Sequence, residues 1–188
     1  MKKEELLDHI NYLEEITKQT RIRAADGYQY FLLWGVLWII GYLGSIYYPD
    51  IIWSIITPIG GIASLLIGYR MNRNKQKPLL LKKIGWLALI LLLSAIIISI
   101  LLSQIIEEPS LLGQIFNSYW PFWIGIIYLS AGIFMDKIMV RIGSGLLLIS
   151  LIGFFLPNIY QEIWFAILGG GGIILTGLIL RKQVSKNE

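Results

Sequence analysis

Cysteine is absent from the 188 residues. Disulfides, thiolate metal sites and cysteine nucleophiles are therefore excluded, and no redox compartment can be read. Histidine is almost absent as well, with His9 the only one. Charge is scarce: 15% of residues are charged, against about 25% in ordinary soluble domains. Polar surface on that scale cannot cover a soluble fold of this length. A soluble enzyme, a nucleic-acid-binding domain and a disordered chain are all set aside. What fills the space is apolar, with 56% hydrophobic residues. The composition is that of an integral membrane protein, with the lipid bilayer as its first partner.

A helix needs about 20 mostly apolar residues to span a bilayer. Six stretches read this way: 28–48, 51–69, 84–106, 119–135, 138–156 and 163–180. Their runs are continuous rather than alternating, which favours helices over barrel strands. The expected class is an all-α integral membrane protein of six transmembrane helices. Residues 1–27 precede this bundle, which covers 28–180, and residues 181–188 form a tail. Pro49 and Asp50 leave room only for a tight turn between the first two spans. Glu107, Glu108 and the helix-breaking Pro109 open the loop after the third. In that loop Leu111, Leu112, Ile115 and Phe116 suggest a short separate helix in the interface. Pro121 then falls at the start of the fourth span.

Orientation follows from lysine and arginine. The 70–83 loop carries Arg70, Arg73, Lys75, Lys77, Lys82 and Lys83 and no acid, whereas the 107–118 loop carries two acids and no base. With six spans, all 16 basic residues fall on the side shared by both termini. That side is expected to be the cytoplasm, giving an N-in, C-in protein of the bacterial inner membrane. Tyr47, Tyr48, Trp53, Tyr119, Trp120, Trp123, Tyr160 and Trp164 gather at the opposite ends, the level that Trp and Tyr prefer.

The first residues are not a spanning segment. Lys2 and Lys3 are followed by Glu4, Glu5 and Asp8, where a cleavable signal peptide would have its apolar run. Leu6, Leu7, Ile10, Leu13 and Ile16 follow helical spacing, with acids on the other faces. Residues 2–26 read as an amphipathic cytoplasmic helix that Gly27 can end. A lipid-surface helix is usually basic, and this one is slightly acidic, so it suits a protein surface better. The basic 70–83 loop is the expected partner, within the chain or across a homo-oligomer. An external cytoplasmic protein is the alternative.

Glycine is abundant, at 19 residues. Gly60, Ser64 and Gly68 make a small-residue stripe on the second span, beside Gly61. Gly125 and Gly132 lie about two turns apart on the fourth, and Gly172 and Thr176 one turn apart on the sixth. Such stripes let helix backbones approach closely in a membrane, so these residues are the candidates for helix packing. Trp53, Gly60, Gly61 and Arg70 recur at the same offsets as Trp164, Gly171, Gly172 and Arg181, which hints at tandem two-helix hairpins. Two places invite irregular backbone. Pro58 removes the helical donor of the Ser54 carbonyl, with Thr57 beside it. The run Gly169, Gly170, Gly171 and Gly172 weakens the sixth span near its middle. Ser54, Thr57, Pro58, Gly169, Gly170 and Gly171 are the candidates for a cavity or hinge.

Catalytic chemistry is not written into the chain. The spans carry no charge away from their ends, whereas proton relays, coupled transport and voltage sensing use intramembrane charges. Hydroxyls within the spans can bond back to their own helix. His9 with Glu5 and Asp8 reads as a solvated helix face rather than a metal site. No phosphate loop is present. No catalytic residue, cofactor or metal is assigned, and no nucleic acid is expected as a partner.

At Tyr28-Gln29-Tyr30-Phe31-Leu32-Leu33-Trp34-Gly35 the chain resembles a group of small six-span bacterial inner-membrane proteins. Pro58, Gly60, Gly61 and Ile62 in the second span are similar, as are Arg141, Ile142, Gly143, Ser144 and Gly145 at the start of the fifth. Members are often encoded beside a small winged-helix regulator. The resemblance implies a sensing or stress-linked role and assigns no functional residue. The expected function is a non-enzymatic interaction or regulatory module. The alternative is a passive channel or permease for a small neutral or apolar solute.

Overall fold

The computed structural model describes residues 27–49, 51–72, 79–134 and 137–185. The expected amphipathic helix over 2–26 lies outside the described residues, as do 73–78 of the basic loop and 186–188 of the tail. Every described element is helical. The helices are α1 (Tyr28–Ser45), α2 (Ile52–Asn72), α3 (Leu79–Ile105), α4 (Pro109–Phe134) and α5 (Lys137–Phe154). A sixth rod follows, made of α6 (Asn158–Trp164), a π-helical segment (Phe165–Gly170) and α7 (Gly171–Val184).

Four of these rods are long and apolar enough to cross a membrane: Ile52–Met71, Lys82–Ile105, Lys137–Phe154 and Asn158–Val184. The chain is therefore compatible with a multi-pass membrane protein. α1 and α4 are as long, at 18 and 26 residues, so composition sets them apart. α1 carries Tyr28, Gln29, Tyr30 and Tyr42, and α4 carries Gln114, Asn117 and Ser118.

The loop expected over 107–118 is a correction. α4 begins at Pro109 and runs unbroken to Phe134. Residues 111–116 are its opening turns, not a separate interfacial helix. Proline suits a helix's first turn, where its missing N–H would have had no partner. Pro121 is thereby moved from a span's start to a helix interior. There it deprives the Asn117 carbonyl of its donor, and the Tyr42 hydroxyl donates to that carbonyl instead, at 3.1 Å.

Packing divides the rods into a core and a periphery. The tightest pairings are α4 with α5 and α1 with the sixth rod. α2 packs chiefly on α1, and α3 on α4. These pairings cut across the expected hairpins, since α5 sits far closer to α4 than to the rod that follows it. The buried face of α5 is Met139, Gly143, Leu146, Ser150 and Gly153, a 4-3-4-3 spacing that keeps one seam facing its partner. Small residues on that seam bring backbones together. A Cβ built on Gly143 would lie 2.5 Å from the Leu129 nitrogen and 2.7 Å from the Gly125 carbonyl oxygen. One on Gly132 would lie 2.5 Å from the Val140 nitrogen. The second crossing is equally close: Cβ atoms on Gly35 and Gly170 would each come within 2.9 Å of the other's carbonyl oxygen. Phe31, Trp38, Leu146, Phe165 and Ile173 fill the core around these crossings.

Candidate functional site: a buried polar cluster

α1 and α5 end where α4 and α6 begin, so four helix ends meet at one end of the core. The side chains that converge there are polar. Gln161 is wholly buried, with Ser150, Ser118 and Glu162 at 3%, 5% and 8% exposed. The Gln161 amide nitrogen donates to the Gln114 carbonyl at 3.0 Å, the Ser118 hydroxyl at 3.0 Å and the Gly153 carbonyl at 3.2 Å. One side chain thus ties α6 to α4 and α5. Asn117 reaches back, its amide donating to Glu162 Oε1 at 2.7 Å and Gln161 Oε1 at 3.2 Å. Ser150 donates to the Ser118 carbonyl. Gln114 donates to the Phe154 carbonyl at 3.0 Å.

An aromatic wall closes the cluster toward the core. Tyr42, bonded to the Asn117 carbonyl, packs at a tilt against Phe165 with ring centroids 5.2 Å apart and meets Trp53 edge-on at 5.0 Å. Trp164 donates to the Ile149 carbonyl at 2.9 Å. Buried polar groups of this kind persist because each is hydrogen-bonded. The exception is Glu162 Oε2, which is buried with no partner.

The π-helical segment begins three residues beyond Glu162. Such segments are uncommon and recur at functional sites. Of the cavity or hinge candidates, Gly169 and Gly170 lie in this segment and are buried against Trp38 and against Gly35 and Ile39. Gly171 opens the α-helix that follows, with nothing near its Cβ position. Ser54, Thr57 and Pro58 lie exposed on α2. The two sets do not come together as one cavity, because the glycines are packed into α1 and the α2 residues face outward.

The packing candidates also divide. A Cβ on Gly60 would meet Leu37 and Trp34 at 2.8 Å, and one on Gly68 the Tyr30 hydroxyl at 2.9 Å. Ser64 accepts a hydrogen bond from the Trp34 indole at 3.0 Å. These three face α1. Gly125 and Gly132 face α5 across the crossing described above. Gly61 and Gly172 meet nothing within 4 Å. Thr176 bonds back to the Gly172 carbonyl at 3.0 Å.

The cluster itself was not foreseen. Gln114, Asn117, Gln161 and Glu162 lie between the expected spans, in 107–118 and 157–162, where polar residues need no explanation. Pro157, at the helix entry, was the available signal: a helix starting at 158 carries Gln161 and Glu162 inside its first two turns. Among the described residues, no three His, Asp or Glu side chains gather as a metal site would require. No protein-family model, curated protein or solved structure matches the chain.

Proposed function

We propose that the chain is a six-span protein of the bacterial inner membrane, with both termini in the cytoplasm, that acts as a non-enzymatic interaction or regulatory module. The observation that carries this reading is the pair of backbone-to-backbone crossings, Gly35 on Gly170 and Gly125 on Gly143. They bring the core helices together at mid-length, where a solute path through the bundle would need room. Lysine and arginine placement supports the orientation, and the resemblance noted above supports a sensing role. The cytoplasmic helix over 2–26 and the basic 70–83 loop are the elements that would meet a protein partner or a second copy.

Deletion of residues 2–24 tests this reading. It should leave membrane assembly intact and abolish whatever cellular phenotype the full chain supports. Survival of the phenotype would move the function into the bundle. Orientation is tested separately by single cysteines in this cysteine-free chain: Lys77→Cys should resist impermeant reagents in intact cells, and Glu107→Cys should react.

The second reading, a permease for a small neutral or apolar solute, is favoured by the buried polar cluster beside the π-helical segment. Solute uptake that requires Gln161 while ion conductance stays silent would promote it.

A further inference from the structure

We propose that Glu162 is a proton-binding site at the end of the bundle where α1 and α5 end, and that a bound proton is part of the closed packing of α6 on α4.

The geometry leaves little else. Of the three acids among the described residues, Glu162 alone is buried, at 8% exposed. One carboxyl oxygen takes the Asn117 amide at 2.7 Å, and the other takes nothing. The Gln161, Ser150 and Tyr42 donors beside it are committed elsewhere. The Gln161 amide serves Gln114, Ser118 and Gly153. Ser150 serves the Ser118 carbonyl, and Tyr42 serves the Asn117 carbonyl. The titratable group that faces it from α1 is Tyr42. α4 presents Gln114, Asn117 and Ser118, α5 presents Ser150, and Tyr160 on its own helix is exposed. No described lysine, arginine or histidine hydrogen-bonds the open oxygen.

A buried carboxylate without a counter-charge is far more costly than a buried neutral acid with one unmet hydrogen bond. A proton removes the charge at a single oxygen. A metal cation would need several oxygens aimed at one point, and the acceptors of Gln161, Asn117 and Ser118 are already engaged in bonds between helices. Release of the proton would place a charge among amides that join three helices. Water would then be drawn in, and α6 would loosen next to its π-helical segment. The inference stands on the cluster alone and is independent of the regulatory reading.

Infrared spectroscopy of the full chain in lipid nanodiscs tests it. Near neutral pH, where exposed aspartates and glutamates are ionised, wild type should retain a carboxylic-acid carbonyl band. Raising the pH should abolish that band reversibly. Glu162→Gln should lack it. Glu162→Asp, which keeps a carboxyl group, should shift it and covers the case in which the amide variant fails to assemble. Absence of the band from wild type overturns the proposal, as does a band left unchanged in both variants. A missing band together with melting that rises with sodium or potassium concentration would assign the site to a cation and also overturn it.

Discussion

α3 and α5 mark the two extremes of this molecule. α3 is strongly apolar, yet of its described residues only Ile84 and Ala95 are buried. Its side chains at 89, 90, 93 and 97 all stand exposed. α5 carries two glycines and a serine on its buried seam and is packed along its whole length against α4. In water this ordering would be reversed, because apolar faces would seek the interior. Lipid tails are as apolar as leucine, so apolarity gives no inward pull. Close backbone contact and satisfied hydrogen bonds do, and they select small and polar residues for the protein-facing seams. α1 and α4 fit the same rule. Both turn polar side chains into the core, Tyr42 and Ser45 on α1 and Ser118 on α4, and both are central.

The largest test of this contrast is Gly143→Leu. A side chain there meets the Leu129 nitrogen and Gly125 carbonyl, which are backbone and cannot turn aside. Separation of α4 from α5 should lower stability by about 3 kcal/mol, the upper range for overpacking. Reversible unfolding in detergent would measure it. Ile97→Leu on the exposed face of α3 is the control and should behave as wild type. A mild Gly143→Leu phenotype would mean that the core is not held by these crossings.

Gln161→Leu should rank next. It removes the donor that ties α6 to α4 and α5 and leaves Asn117 with one fewer acceptor. A buried group left unmet costs about 1–3 kcal/mol, and about 2 kcal/mol is expected in the same unfolding assay. A loss no greater than that of an exposed substitution would show that the cluster is ornamental to stability.

Much of the helical arrangement could be read from the residues, and the reason is physical. Long apolar runs and proline breaks mark helices without any knowledge of their neighbours. The stripe Gly60, Ser64 and Gly68 could also be read, because small residues at helical spacing have few other uses. The cluster could not. Asn117 lies far in sequence from the adjacent Gln161 and Glu162, and each alone resembles an ordinary loop residue. Only folding brings them within 3.2 Å of one another. The π-helical segment was half legible: the glycines at 169 and 170 flagged weakness, but not that close packing on α1 would be its consequence.

Two hydroxyl or indole deletions sharpen the contrast at smaller scale. Tyr42→Phe keeps the ring against Phe165 and removes the donor that replaces the N–H missing at Pro121. The Asn117 carbonyl is then left without either partner, so about 1 kcal/mol is expected. Trp34→Phe removes the indole bond to Ser64 between α1 and the peripheral α2. Interhelical hydrogen bonds in membranes average about 0.6 kcal/mol, and no more than that should be lost. If Trp34→Phe proves the costlier change, α2 is less peripheral than its packing indicates.

The finest contrast concerns neighbours on one helix. Gly60→Ala would set a methyl group 2.8 Å from Leu37 Cδ1 and from the Trp34 ring. Both are side-chain ends that can shift by a few tenths of an ångström, so a modest loss of about 1 kcal/mol is expected. Gly61→Ala meets nothing within 4 Å and should stay within about 0.5 kcal/mol of wild type. The pair shares a helix, a depth and a chemistry, so backbone propensity cancels and the difference reads packing alone. Measured at increasing dilution in detergent, the same pair separates two sources of packing. Should Gly61→Ala be as costly as Gly60→Ala when concentrated and harmless when dilute, the open face at Gly61 is filled by a second copy of the chain. Should it be costly at every dilution, the face is filled from within the chain, and α2 is held by more than α1.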